Sequence, residues 1–237
     1  MRLVTTALSL TNVQNIAFSN FGASATMNER LTQILPQSAV FESGIEAMTS
    51  VHGWQQTWDE YHAAKNNAHL DTIHSISGGL IHAMIFLDAN PGVTCETMVL
   101  ESPVWTDADM MALFNQKFTN TKVSPDVYLN RWRRSVTESH HCFTDRYLKP
   151  FTEKTLSEFK FAINEKLLER TSRIVVITHE NDPLIDLYDI GNLMSTSKHN
   201  DIPCVHHRIK GKHAMYSVMK PTEFRALITP PDTLVFE

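Results

Sequence analysis

The segment Leu70-Asp71-Thr72-Ile73-His74-Ser75-Ile76-Ser77-Gly78-Gly79-Leu80-Ile81-His82-Ala83-Met84-Ile85 constrains the fold more than any other part of the chain. It reads as a short strand, a sharp turn at Ser77 and an apolar helix. A serine held on such a turn projects its hydroxyl away from the backbone, where a base can reach it. The residues two before and two after it must be small, because strand and helix nearly collide there. Ser75 and Gly79 occupy those places. Taken alone, the pattern fits a glycine-rich connection without chemistry equally well.

The same alternation runs through most of the chain. Asn15–Ser19 predicts a buried strand, ending in a turn at Asn20-Phe21-Gly22. A helix is expected from about Thr26 to Leu35, stopped by Pro36, and a strand over Ser38–Glu42. Trp54, Trp58 and Tyr61, spaced by four and three, predict a helix from Gly53 to Lys65. Another strand is expected over Glu96–Glu101, after a break at Pro91-Gly92. Asp107 to Arg170 reads as largely helical, with Leu156, Phe159, Ile163 and Leu167 on one face. Then come a strand at Ser172–Thr178, a helix at Asp186–Ser197, a strand at Pro203–Ile209 and a last helix from Met215 to Leu227. Strands alternating with helices imply a mostly parallel sheet covered on both faces. The expected class is α/β, a single domain over residues 1–237 with a helical cap insert at about 105–170.

Composition narrows the function classes. The apolar fraction of 42% is enough for a sizeable core. A net charge of −5 gives no basic footprint for nucleic acid. Between Trp105 and Arg173, lysine and arginine outnumber aspartate and glutamate, whereas both flanks are net acidic. The middle third is thus compositionally distinct. No apolar run approaches the ~20 residues needed to span a membrane. The start, Met1 to Leu10, is interrupted by Thr and Ser and is followed by no convincing signal-peptide cleavage site. Cys95, Cys142 and Cys204 are widely spaced and odd in number, which argues against a disulfide framework and for the reducing cytoplasm.

His140-His141-Cys142 lacks the spaced pairs of usual zinc sites, and His206 and His207 should face opposite sides of a strand. No metal is expected. Gly78-Gly79 lacks the spacing of a phosphate loop or dinucleotide fingerprint, so no cofactor is expected either.

Three residues suited to nucleophilic catalysis follow predicted strands. Ser77 is first. Asp182 lies in His179-Glu180-Asn181-Asp182-Pro183-Leu184-Ile185, and His213 in Lys210-Gly211-Lys212-His213-Ala214-Met215. With this Ser, Asp, His order the chain resembles the α/β-hydrolase-fold serine hydrolases, the esterases, lipases and thioesterases. Asp-Pro-Leu-Ile and Gly-x-His-Ala look like that family's acid and histidine loops. Phe18-Ser19-Asn20-Phe21-Gly22-Ala23-Ser24 resembles its oxyanion loop, with Ser19-Asn20 where the family commonly has His-Gly. His-Ser-x-Ser-Gly-Gly and the closing His-x-x-Tyr…Pro-x-x-Phe carry a weaker similarity to the transmembrane-protein-53-like (DUF829) branch.

The resemblance implies that His213 activates Ser77 and that Asp182 orients His213. It implies an oxyanion hole from the backbone N–H of Gly78 and of Phe21. Asn20, Trp105 and Trp132 are candidate substrate-binding residues. The substrate expected is a small-molecule acyl ester or thioester, cleaved through a Ser77 acyl-enzyme. Other readings stay open. Asp182 could only cap the next helix, and Glu101 or Asp107 could supply the acid instead. Arg131, Arg133 and Arg134 beside Trp132 form either a solvated helix face or a site for an anionic group. The same triad could serve an acyltransferase, and the fold could carry a non-catalytic ligand-binding protein.

Overall fold

A computed structural model describes residues 2–3, 13–19, 25–42, 69–103, 127, 165, 167–180, 182, 185, 187–211 and 219–229. Among them are seven strands: β1 (Arg2–Leu3), β2 (Asn15–Phe18), β3 (Ser38–Glu42), β4 (His69–Ile76), β5 (Thr94–Glu101), β6 (Thr171–His179) and β7 (Cys204–Ile209). Four helices are α1 (Ala25–Ile34), α2 (Gly79–Ala89), α3 (Leu187–His199) and α4 (Pro221–Ile228). The expected helix at Gly53–Lys65 and most of the expected cap at 105–170 lie outside the described residues.

The strands form one sheet in the order β1-β3-β2-β4-β5-β6-β7. Only β1 is antiparallel, to β3; β2 through β7 are parallel. The central strands are buried on both faces, as a covered parallel sheet requires. Ile73–Ile76, Met98–Glu101 and Ile174–His179 are all buried. That is why these segments read as continuous apolar runs.

The chain leaves β2 in one direction, through α1 to β3, and leaves β4 in the other, through α2 to β5. Right-handed crossovers therefore place α1 and α2 on opposite faces. Side-chain alternation agrees. Ala17 and Val40 join Leu31 and Ile34 of α1 and Phe224 and Ile228 of α4 in one buried cluster. Their strand neighbours Phe18 and Phe41 stack at 5.4 Å on the other face and meet Phe86 of α2 at 5.6 and 6.2 Å.

Of the helix expected over Met215–Leu227, residues 215–218 lie outside the described residues. Met219 and Lys220 are not helical, and α4 starts at Pro221. Proline lacks the N–H that a helix interior needs, and it holds the preceding residue extended. Lys220 accordingly has φ −61° and ψ 138°. No helix among the described residues is long and apolar enough to cross a membrane.

Candidate active site

Because β2 to β7 are parallel, the loops after them all emerge at one edge of the sheet. The direction of travel reverses between β2 and β4, and such a switch point opens a crevice at the carboxyl ends of the strands. Ser77 stands there. Register pairs Phe18 with Ser75 and Ile76 with Glu101, so the chain after β2, Ser77 and the end of β5 are neighbours.

The local geometry of Ser77 is strained. Its φ is +54°, a region that non-glycine residues occupy only at a cost. The strain is held by neighbours. The Ser77 N–H donates to the Glu101 carbonyl at 2.8 Å, and Leu80 N–H donates to the Ser77 carbonyl at 3.2 Å. Ser77 is fully buried, and its hydroxyl has no hydrogen-bond partner among the described residues. Gly78, at φ −61° and ψ −10°, is the N-cap of α2. Its amide stands at a helix N-terminus, where donors converge on negative charge.

The requirement for small residues around Ser77 holds, with a different cause on the glycine side. A Cβ on Gly79 would lie 2.3 Å from the carbonyl oxygen of Phe18 and 3.1 Å from that of Ser19. The obstacle is the end of the neighbouring strand β2, not the strand of the turn itself. Ser75 is tolerated because its hydroxyl fits inside the sheet and donates to the Val99 carbonyl at 3.4 Å.

Ser19, at the position where a histidine is common in the resembling family, is also fully buried. Its N–H and hydroxyl both donate to the Phe41 carbonyl, at 3.0 and 3.2 Å. This ties the residue after β2 to the end of β3. Asn20 and Phe21, with Trp105, Trp132 and His213, lie outside the described residues.

Asp182 follows β6, which lies two strands, about 10 Å at ordinary strand spacing, from the β4 strand that leads into Ser77. It is 9% exposed, and its N–H donates to the His179 carbonyl at 3.1 Å. Gly211, two residues before His213, turns the chain after β7 with φ 148°, which favours glycine. Both ends of α4, the helix beyond His213, are anchored. Arg30 of α1 donates to the Met219 carbonyl, and Arg173 donates to the Ile228 carbonyl at 3.0 Å.

Sequence reasoning named Glu101 as an alternative acid but did not single out Ser102, His74, His179 or His82. Ser102 repeats the Ser77 arrangement one strand over: φ is +44°, its N–H donates to the Ile177 carbonyl at 2.8 Å, and its buried hydroxyl has no hydrogen-bond partner among the described residues. His74 and His179 flank the buried Glu101 carboxylate, with Nε2 atoms 3.3 and 3.6 Å from its oxygens. The only signal available was polar residues inside otherwise apolar strands. His82 of α2 is fully buried, and burial lowers its pKa to about 3, so the ring is neutral.

No family model and no curated protein matches the sequence. Solved structures do. A thioesterase domain from the curacin biosynthetic pathway superposes with a TM-score of 0.52 at 11% identity, covering 93% of this chain and 92% of that one. The structure of DbjA (mutant dbja delta) superposes with a TM-score of 0.51 at 10% identity, covering 91% and 90%. At such identity the likeness is one of fold, not of function. It extends over nearly the full length of both partners and accords with the sheet order and with the strained serine turn at the switch point. The chain has the α/β-hydrolase fold.

Proposed function

We propose that this chain is a serine hydrolase that cleaves a carboxylic ester or thioester through an acyl-enzyme on Ser77, with His213 as general base and Asp182 as the acid that orients it. The observation that carries the reading is the Ser77 turn: φ +54°, at the carboxyl end of β4, with the Gly78 amide next at the start of α2. A cost of this kind persists where the surrounding structure enforces it, and such residues cluster at active sites.

The chemistry follows from the roles. His213 takes the Ser77 proton as the oxygen attacks the substrate carbonyl carbon. The Gly78 and Phe21 amides stabilise the oxyanion that forms. His213 then gives the proton to the departing alcohol or thiol. Water opens the acyl-enzyme by the same steps, with His213 returning a proton to Ser77. Asp182 holds the imidazole in one tautomer and offsets its charge when protonated. The reaction takes no metal or cofactor. Residues at about 105–170 form the cap of a single domain, and Asn20, Trp105 and Trp132 contact the acyl group. The free thiols Cys95 and Cys204 suit the cytoplasm.

Glu101 is the second candidate for the acid. It is fully buried at the end of β5, next to the strand that carries Ser77. Asp182→Asn and Glu101→Gln separate the two readings, since the true acid costs orders of magnitude in turnover.

The test of the function is labelling by a fluorophosphonate, wild type beside Ser77→Ala, with a p-nitrophenyl ester chain-length series. Labelling lost in the variant, with ester turnover in the wild type, is expected. Folded wild type that neither labels nor turns over would refute the reading and favour a ligand-binding protein. Product analysis with added alcohols and amines separates hydrolysis from acyl transfer.

A further inference from the structure

The buried carboxylate of Glu101 connects strands that carry different parts of the proposed site. It sits at the end of β5. His74 Nε2, on β4, lies 3.3 Å from Oε2, and His179 Nε2, at the end of β6, lies 3.6 Å from Oε1. All three side chains have no solvent exposure.

Each member is also tied to a segment of the proposed triad. The Glu101 carbonyl accepts the Ser77 N–H at 2.8 Å, and the His179 carbonyl accepts the Asp182 N–H at 3.1 Å. The His74 ring lies 5.3 Å, centroid to centroid, from Phe224 of α4, the helix that follows the His213 loop. Residues of one buried polar cluster thus hold the Ser77 and Asp182 amides through their own carbonyls, and one of its rings lies against α4.

Stability alone does not account for it. A buried carboxylate is costly unless paired, and apolar residues of similar volume often serve stability as well or better. What the cluster does supply is close contact between polar groups on three adjacent strands. Small displacements of catalytic groups cost rate steeply.

We propose that Glu101, acting through His74 and His179, is a positioning residue that fixes the Ser77 turn relative to the Asp182 loop. This rests on the hydrolase reading above. It differs from Glu101 serving as the acid, because an acid role makes activity sensitive at Glu101 and indifferent at His179.

The test measures the rate at which a fluorophosphonate acylates Ser77, together with the melting midpoint, in wild type, His179→Leu and His179→Gln. The glutamine amide nitrogen can stand near the place of Nε2, whereas leucine keeps only volume. Labelling is expected to slow at least tenfold in His179→Leu and to recover to within about threefold of wild type in His179→Gln. The same pair at His74 repeats the test should His179→Leu fail to fold. Unchanged labelling in both leucine variants overturns the proposal. Equal losses in the leucine and glutamine variants that follow the melting midpoint overturn it as well, since that pattern marks packing alone. Wild type that does not label overturns the hydrolase reading and this proposal with it.

Discussion

Gly79→Ala tests the link between packing and site most directly. The added Cβ would meet the Phe18 carbonyl oxygen at 2.3 Å and its carbon at 3.0 Å. Even a close carbon–oxygen contact lies near 3.3 Å, so β2 and α2 must part by about 1 Å. Both obstacles are backbone, and no side-chain rotation relieves them. Forcing volume into a packed interior costs about 1–3 kcal/mol, occasionally more. Against this, alanine gains up to about 1 kcal/mol over glycine in a helix. The clash should win, with a net loss of about 1–2 kcal/mol in urea unfolding at unchanged m-value. The displacement falls on Phe18 and Ser19, which lead into the proposed oxyanion loop. Fluorophosphonate labelling of Ser77 should therefore fall about a hundredfold in protein that is still folded. Gly191→Ala is the control, since no described residue lies within 4 Å of a Cβ there on the exposed side of α3. It should stabilise by about 0.5–1 kcal/mol and leave labelling unchanged. A Gly79→Ala protein as stable and as reactive as wild type would refute the argument.

Ser77→Gly should abolish labelling yet stabilise the protein, by about 1–2 kcal/mol before the lost hydroxyl is counted, because glycine accepts φ +54° without strain. A Gly variant less stable than Ser77→Ala in urea would show that the turn stores no strain. His82 gives a pH signature. Burial lowers its pKa to about 3 from 6.5, so below pH 6.5 the unfolded chain takes up a proton that the folded chain refuses. Stability should fall from pH 6.5 toward 3 by up to about 1.4 kcal/mol per unit from this group, and His82→Leu should flatten that slope in urea titrations. Burial also pushes the Cys95 thiol up to about 12 and the Cys204 thiol up to about 11. In a Cys142→Ser background, a thiol-disulfide reagent at pH 8 should therefore react slowly with the native protein and promptly once it is unfolded.

Much of the fold was legible in the sequence because its signals are local. Ser38–Glu42 is a strand with the bounds its pattern indicates, and α1 stops just before Pro36, where proline ends it. The apolar runs at β5 and β6 are long because both faces of a parallel sheet are covered. The Ser77 turn was readable for the same reason: Ser75 and Gly79 record a local steric demand in residue type. The start of α4 is set by Pro221, which holds Lys220 extended and so separates α4 from the residues before it.

The sequence by itself determined the alternation of strands and helices, the strained serine turn and the order of the candidate triad. Each depends on neighbours a few residues apart. Only the tertiary structure decided that Phe18 is what forbids a side chain at Gly79. It alone gathered His74, Glu101 and His179 into one buried cluster and set Ser102 beside Ser77 in a matching conformation. These groups are far apart along the chain, and they meet through the register of parallel strands, which the local pattern of each segment does not encode.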